Sequence, residues 1–235
     1  MTPTTTAETN FLAAYHDAFH ELFGVSDEEL LTLYKEDIYG GYPTTPAGSA
    51  YDSEMKALYC MIRLSKPLKI LEIGNWRGHS SNHILLAVEK NGVGEVHLVD
   101  IKENIEYSNL HSGDFVRHLS DSVMFLNGCA EGRPHHPSLD FDFIIQDGCH
   151  EWPHVQKELQ ILKKMNSKDF HVWAHDYFAP VSPAVNVKPA WDAEGPEFYT
   201  LFTCVNREEV RLLQEADHKV DVCGVVLGYW KKKTL

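Results

Sequence analysis

Four short stretches of this 235-residue chain hold groups able to bind a cation, move a proton or grip a charged ligand. In "FDFIIQDGCHEW" an apolar run stops at Asp147, Gly148 follows, and His150 stands three residues past the aspartate. In "FHVWAHD" a second apolar run stops at His175 and Asp176. "LKILEIG" carries Glu72 and Gly74 and opens into Asn75, Gly78, Ser80 and Ser81, while "EVHLVD" ends in Asp100. Carboxylate oxygens are hard ligands for divalent cations. An imidazole, with an ordinary pKa of about 6.5, is suited to take a proton near neutrality. Glycines that accept positive φ let backbone approach a ligand closely. Each stretch also has a plainer reading. Asp-Gly is common turn chemistry, and Asp100 could cap a helix. Glu72 could serve a buried hydrogen bond, and His150 could cap the helix starting near Pro153 or pack on Trp152.

The elements that must position these groups follow from apolar periodicity. "TNFLAAYHDAFHELFG" sets Phe11, Tyr15, Phe19, Leu22 and Phe23 near one helical face and stops at Gly24. Ser26 and Glu29 form a capping-box pattern for a second helix, and "DSEMKALYCMIRLS" reads as a third, ended by Pro67. From there short apolar runs alternate with amphipathic stretches. Strands are expected at 68–74, 95–100, 122–128 ("SVMFLNG"), 141–147 and 170–176, with a last one in "KVDVCGVVLGYW". Helices are expected at 80–92, within 104–119, from Pro153 to Met165 and near "REEVRLLQEA". Residues 179–196 read as a Pro-rich loop. Apolar strands alternating with helices point to a parallel sheet covered on both faces. The expectation is a Rossmann-like α/β fold: a mostly parallel seven-stranded sheet, helices on both faces, and an N-terminal helical extension. Residues 1–10 are expected to be a disordered tail, 11–66 the extension, and 67–235 the sheet domain. In open parallel sheets ligands bind beyond the carboxyl ends of the strands, and there all four polar stretches fall.

Bulk properties narrow the partners. The net charge is −13. Such a surface repels phosphate backbones, which argues against nucleic acid. Five cysteines in irregular spacing, with no CxxC pair, suggest reduced thiols in a cytoplasmic protein. No apolar run approaches the roughly 20 residues a membrane span needs, and "MTPTTTAETN" lacks the features of a signal peptide. His79 and His83 are four apart on an expected helix, but no third ligand accompanies them, so they read as surface histidines. His135 and His136 read as solvated, and nothing suggests that Cys149 is a nucleophile.

"ILEIGNWRGHSS", "VHLVDI", "DFIIQDGCHEWPHVQKEL" and "VWAHDYF" occur in an order and spacing that resembles class I S-adenosylmethionine-dependent methyltransferases, over about residues 50–190. The likeness is to their small-molecule O-methyltransferase branch, including metal-dependent macrolide-sugar O-methyltransferases, and to cephalosporin hydroxylase-like proteins. The resemblance implies that Glu72, Gly74, Ser80 and Ser81 hold the methionine part of S-adenosylmethionine, with Asn75 also binding the cofactor. Asp100 would hold its ribose, Cys129 and Ala130 would border its adenine, and Asp147 would reach the cofactor from the fourth strand. It further implies a divalent metal, magnesium or manganese with iron as a third option, on Asp147, His175 and Asp176. His150 would be the base acting on the hydroxyl of a small-molecule acceptor. Three positions depart from the pattern. Trp152 stands where tyrosine is usual, "NSKD" replaces the usual P-G-G turn, and His175 stands where some metal-dependent relatives carry a carboxylate. An imidazole there favours Mn, Fe or Zn over Mg. A metal-dependent oxygenase and a non-catalytic cofactor-binding protein remain the alternatives, and a homo-oligomer stays open.

Overall fold

The computed structural model describes residues 4–38, 50–103, 114–138, 140–165, 168–179, 186–194, 199–216 and 223–231. Three helices come first: α1 (Thr6–Phe23), α2 (Asp27–Tyr34) and α3 (Asp52–Ser65). Then follow β1 (Lys69–Ile73), α4 (His79–Asn91), β2 (Glu95–Asp100), β3 (Phe115–Leu119) and α5 (Ser122–Ala130). The rest is β4 (Phe143–Gln146), α6 (Trp152–Met165), β5 (Phe170–Ala174), α7 (Val187–Ala193), β6 (Tyr199–Cys204), α8 (Arg207–Glu215) and β7 (Val225–Trp230). The strands form one sheet in the order β3-β2-β1-β4-β5-β7-β6. The first five are parallel, and β7 runs antiparallel to both β5 and β6. The expected seven-stranded, mostly parallel sheet is therefore present. No helix among the described residues is long and apolar enough to cross a membrane.

Side chains alternate between the two faces of each strand, and the core splits accordingly. Ile70, Val96, Leu98, Phe143, Ile145, Trp173 and Leu227 pack under α1 to α4. Leu71, Ile73, Val99, Ile144, Val172, Ala174 and Val226 pack under α5 to α7. The first three helices are thus one wall of the sheet's own core. Capping boxes at Thr5/Glu8 and Ser26/Glu29 start α1 and α2. The Thr5 cap lets α1 begin at Thr6, ahead of the apolar pattern, and Gly24 in the left-handed region ends it.

Three expectations need correction. The run 122–128 is helix α5, not a strand. A short apolar run cannot be told from a buried helix by periodicity, and here Asp121 caps the helix by accepting from the Met124 amide at 3.0 Å. The third strand is Phe115–Leu119 instead, at the sheet edge, where no residue is fully buried and no apolar run marks it. The helix expected within 104–119 is therefore replaced by strand at its end, and 104–113 lie outside the described residues. The loop expected at 179–196 contains α7, which buries Val187, Ala190 and Trp191.

The register brings four strand ends level. Ile73 pairs with both Val99 and Gln146, and Gln146 pairs with Ala174. Gly74, Asp100, Asp147 and His175 therefore emerge together. Gly74 has φ +82, and a Cβ there would lie 2.1 Å from the Asp147 carbonyl oxygen. Only glycine fits. Gly74→Ala combines left-handed strain with a backbone clash, so it is expected to cost roughly 3 kcal/mol or more. Denaturant unfolding of the variant measures this; a loss under 1 kcal/mol would show that the β1 and β4 ends need not touch.

Candidate active site

The strand ends border a cleft of about 800 Å³, within the usual range for small-molecule sites. Gly74, Asn75, Ser80, Asp100, Asp147, His150, His175 and Asp176 all line it. Glu72 and Ser81 stand behind this wall, and Cys129 and Ala130 lie at the far end of α5, outside the lining. That displacement follows from the corrected third strand. Its end leads into Ser120, Asp121 and Ser122, which line the cleft in the place expected for Cys129 and Ala130.

On the β1 side, Glu72 is fully buried and faces α4. The hydroxyls of Ser80 and Ser81 both donate to its carboxylate, the latter at 2.5 Å. Burial pushes Glu72 up to about 7, against the pull of the two hydroxyls. Asp100 straps the glycine loop. Its Oδ2 accepts from the Asn75 amide at 3.1 Å and the Trp76 amide at 2.9 Å, and its Oδ1 from the Lys102 amide at 2.9 Å. Trp76 has φ +36, and its half-exposed ring carries the Arg77 guanidinium 4.7 Å from its centroid. Gly78, in the left-handed region, starts α4.

On the β4–β5 side, two aspartates and two histidines interlock. His150 Nε2 lies 3.4 Å from Asp147 Oδ1 and 3.4 Å from Asp176 Oδ2. His175 Nδ1 lies 3.3 Å from Asp147 Oδ1 and 3.2 Å from Asp176 Oδ1. One donor atom from each of Asp147, His175 and Asp176 falls within 4.8 Å of the others, a spacing that suits a metal ion. Asp176 itself has φ +57, a conformation aspartate tolerates better than most residues and one that collects at functional sites. Burial opposes charge on His175 and His150, yet the facing carboxylates hold both above the ordinary histidine value. Burial also raises Asp147, but the two imidazoles outweigh it and leave the group below its ordinary value.

Sequence reasoning missed several members of this region. His154 lines the cleft and bonds the Ser122 hydroxyl at 2.7 Å. Glu54, from α3, reaches His175, and Cys223 lines the cleft ahead of β7. Nothing in their local sequence marks them; only the alternation of strand faces could have pointed α3 at His175. His79 and His83 are not the surface histidines expected. His83 is buried with Nδ1 2.7 Å from the Ile38 carbonyl, His79 lines the cleft, and burial lowers both, to about 3 and about 4.

Residues 71–177 match a family described as a methyltransferase domain. No curated protein sequence matches the chain. Among solved structures, an O-methyltransferase from Bacillus cereus in complex with SAH is 16% identical with a TM-score of 0.57, covering 92% of this chain and 96% of its own. The O-methyltransferase TomG from Streptomyces achromogenes, involved in tomaymycin synthesis and solved with SAM, is 16% identical with a TM-score of 0.55, covering 92% and 95%. At such identities the likeness is one of fold.

The Glu72 environment makes a solution prediction. A carboxylate raised from 4.5 to about 7 is taken up protonated by the fold. The unfolded chain releases that proton from about pH 4.5 upward, so the group's contribution is intact below pH 4.5 and is lost as pH rises to 7. The loss is about 3 kcal/mol. Unfolding of wild type and Glu72→Gln at pH 5 and pH 8 is expected to show the variant gaining on wild type at the higher pH. Parallel pH profiles would mean that Glu72 is not strained by its burial.

Proposed function

We infer that this chain, whose residues 71–177 match the methyltransferase-domain family, transfers a methyl group from S-adenosylmethionine to a hydroxyl of a small molecule. One observation carries the reading: the glycine loop, Asp100 and the Asp147/His150/His175/Asp176 cluster meet in a single cleft. A ligand spread along the strand ends would touch the loop at one end and the cluster at the other. The solved neighbours bound to SAM and SAH have the same fold.

The loop and Asp100 would hold the cofactor. Asp100 already orients the Asn75 and Trp76 amides, and its carboxylate suits ribose hydroxyls. Ser80, fixed by Glu72, lines the wall toward the methionine end. S-adenosylmethionine, when bound, supplies an activated methyl on a sulfonium. What the protein must add is orientation, exclusion of water and removal of the acceptor's proton.

The donor set of Asp147, His175 and Asp176 fits a divalent ion, by both its spacing and its two partly buried carboxylates facing one imidazole nitrogen. Such an ion, when bound, would act as a Lewis acid toward the acceptor hydroxyl. The mix of imidazole and carboxylate fits manganese or iron as readily as magnesium. His150, in its neutral form, would take the hydroxyl proton, and the two aspartates 3.4 Å from its Nε2 would stabilise the imidazolium that results. Gly148 keeps the turn between Asp147 and His150 tight: a Cβ there would sit 3.0 Å from the Ile73 side chain.

The test follows S-adenosylhomocysteine release against a panel of small hydroxylated acceptors. Exhaustive chelation is expected to abolish turnover, and added Mg or Mn to restore it. His150→Ala is expected to lower kcat by roughly two to four orders of magnitude with cofactor affinity unchanged. Undiminished turnover after chelation, with no metal by elemental analysis, would reduce Asp147 to a turn residue. A near-normal kcat together with a lower Tm would make His150 structural.

A further inference from the structure

The helix before the sheet sends one carboxylate into the cation cluster from behind. Glu54, near the start of α3, is 1% exposed. Its Oε2 accepts from the Tyr51 amide at 2.9 Å and lies 3.1 Å from His175 Nε2. Its Oε1 has no hydrogen-bond partner among the described residues. A capping role explains the Tyr51 bond but calls for no histidine. Burying a carboxylate with one oxygen unsatisfied is costly, and a fold under no other demand would place glutamine or an apolar residue here.

The histidine is held to match. His175 stacks on Trp173 with ring centroids 5.5 Å apart and planes 8° from parallel. This fixes the ring so that Nε2 faces Glu54 while Nδ1 faces Asp147 and Asp176. A metal-binding imidazole gives one nitrogen to the ion and donates its other N–H to an outer acceptor, which sets the tautomer and orients the ring. Glu54 stands where that acceptor belongs.

We propose that Glu54 is a positioning residue for the cation site: it holds the proton on His175 Nε2, leaving Nδ1 as the nitrogen that binds the divalent ion. The proposal rests on the cation-binding part of the function proposed above. It makes α3 part of the site, although the helix contributes no ligand of its own. It also gives His175 anionic backing, so an imidazole at this position sits in front of a carboxylate.

The experiment uses the full chain with Mn²⁺ and Zn²⁺ as probes. Isothermal titration calorimetry in one fixed buffer compares wild type, Glu54→Gln and Glu54→Ala. Wild type is expected to bind, and both variants to bind 10- to 100-fold more weakly, with the Tm of metal-free Glu54→Gln held close to wild type. Excess metal is expected to return the kcat of Glu54→Gln toward wild type, because only loading is impaired. In the Zn-loaded wild type, ¹⁵N imidazole spectra, assigned with His175→Gln, are expected to show His175 protonated on Nε2 and metal-bound through Nδ1. Equal affinities in wild type and Glu54→Gln, or a His175 bound through Nε2, would overturn the proposal and leave the cation site standing. No binding of either ion to wild type would overturn both. Should Glu54→Ala not fold, the isosteric Glu54→Gln and the wild-type spectra still decide the matter.

Discussion

The site depends on a backbone contact. Gly74, at the end of β1, lies against the carbonyl of Asp147 at the end of β4, so close that no Cβ fits between them. β1 is the centre of the parallel set, with β2 on one side and β4 on the other. Pressing its end onto β4 joins two halves of the cleft. One half is the glycine loop strapped by Asp100; the other begins at Asp147. Gly148 tightens the same junction from the opposite strand, against Ile73. A side chain at Gly74 would part the loop from the aspartate, and no rearrangement of surface residues could restore the spacing.

Charge is the second constraint. Asp147 and Asp176 meet at one point in a partly desolvated cleft, where two carboxylates repel. His150 and His175 bridge them, each within 3.4 Å of both. Behind this layer Glu54 backs His175, and on the β1 side Glu72 is buried with two serine hydroxyls. The carboxylates of Asp147, Asp176 and Glu54 therefore gather at the β4–β5 strand ends of a protein that is already acidic overall. That field suits a cation, whether a metal ion or a sulfonium, and disfavours a phosphate-bearing ligand.

Much of this was legible in the sequence, for a physical reason. Strands buried on both faces are near-continuous apolar runs, so their ends are sharply marked by the first polar residue: Glu72-Ile73-Gly74, Asp100, Asp147 and His175-Asp176 all stand out this way. The third strand escaped because an edge strand has no such run, and the apolar 122–128 segment beside it is a helix covering the sheet. A strand over 122–128 would deliver Cys129 and Ala130 to the cleft, whereas β3 delivers Ser120, Asp121 and Ser122. Glu54 escaped for a different reason. It lies 121 residues from His175, and a pairing over that distance is a property of packing, set by which face of β5 meets α3. His83 looked exposed because helical spacing does not reveal which side of a helix the N-terminal segment covers.

The proposed chemistry requires one cleft to present the cofactor to the aspartate–histidine cluster across the β1–β4 junction. A crystal structure of the full chain with S-adenosylhomocysteine and Mn²⁺ decides this. The ribose is expected on Asp100, the sulfur turned toward His150, and the ion held by Asp147, His175 Nδ1 and Asp176. A nucleoside lying elsewhere, or an ion that leaves Asp147 and Asp176 untouched while the ligand sits in the cleft, would contradict it.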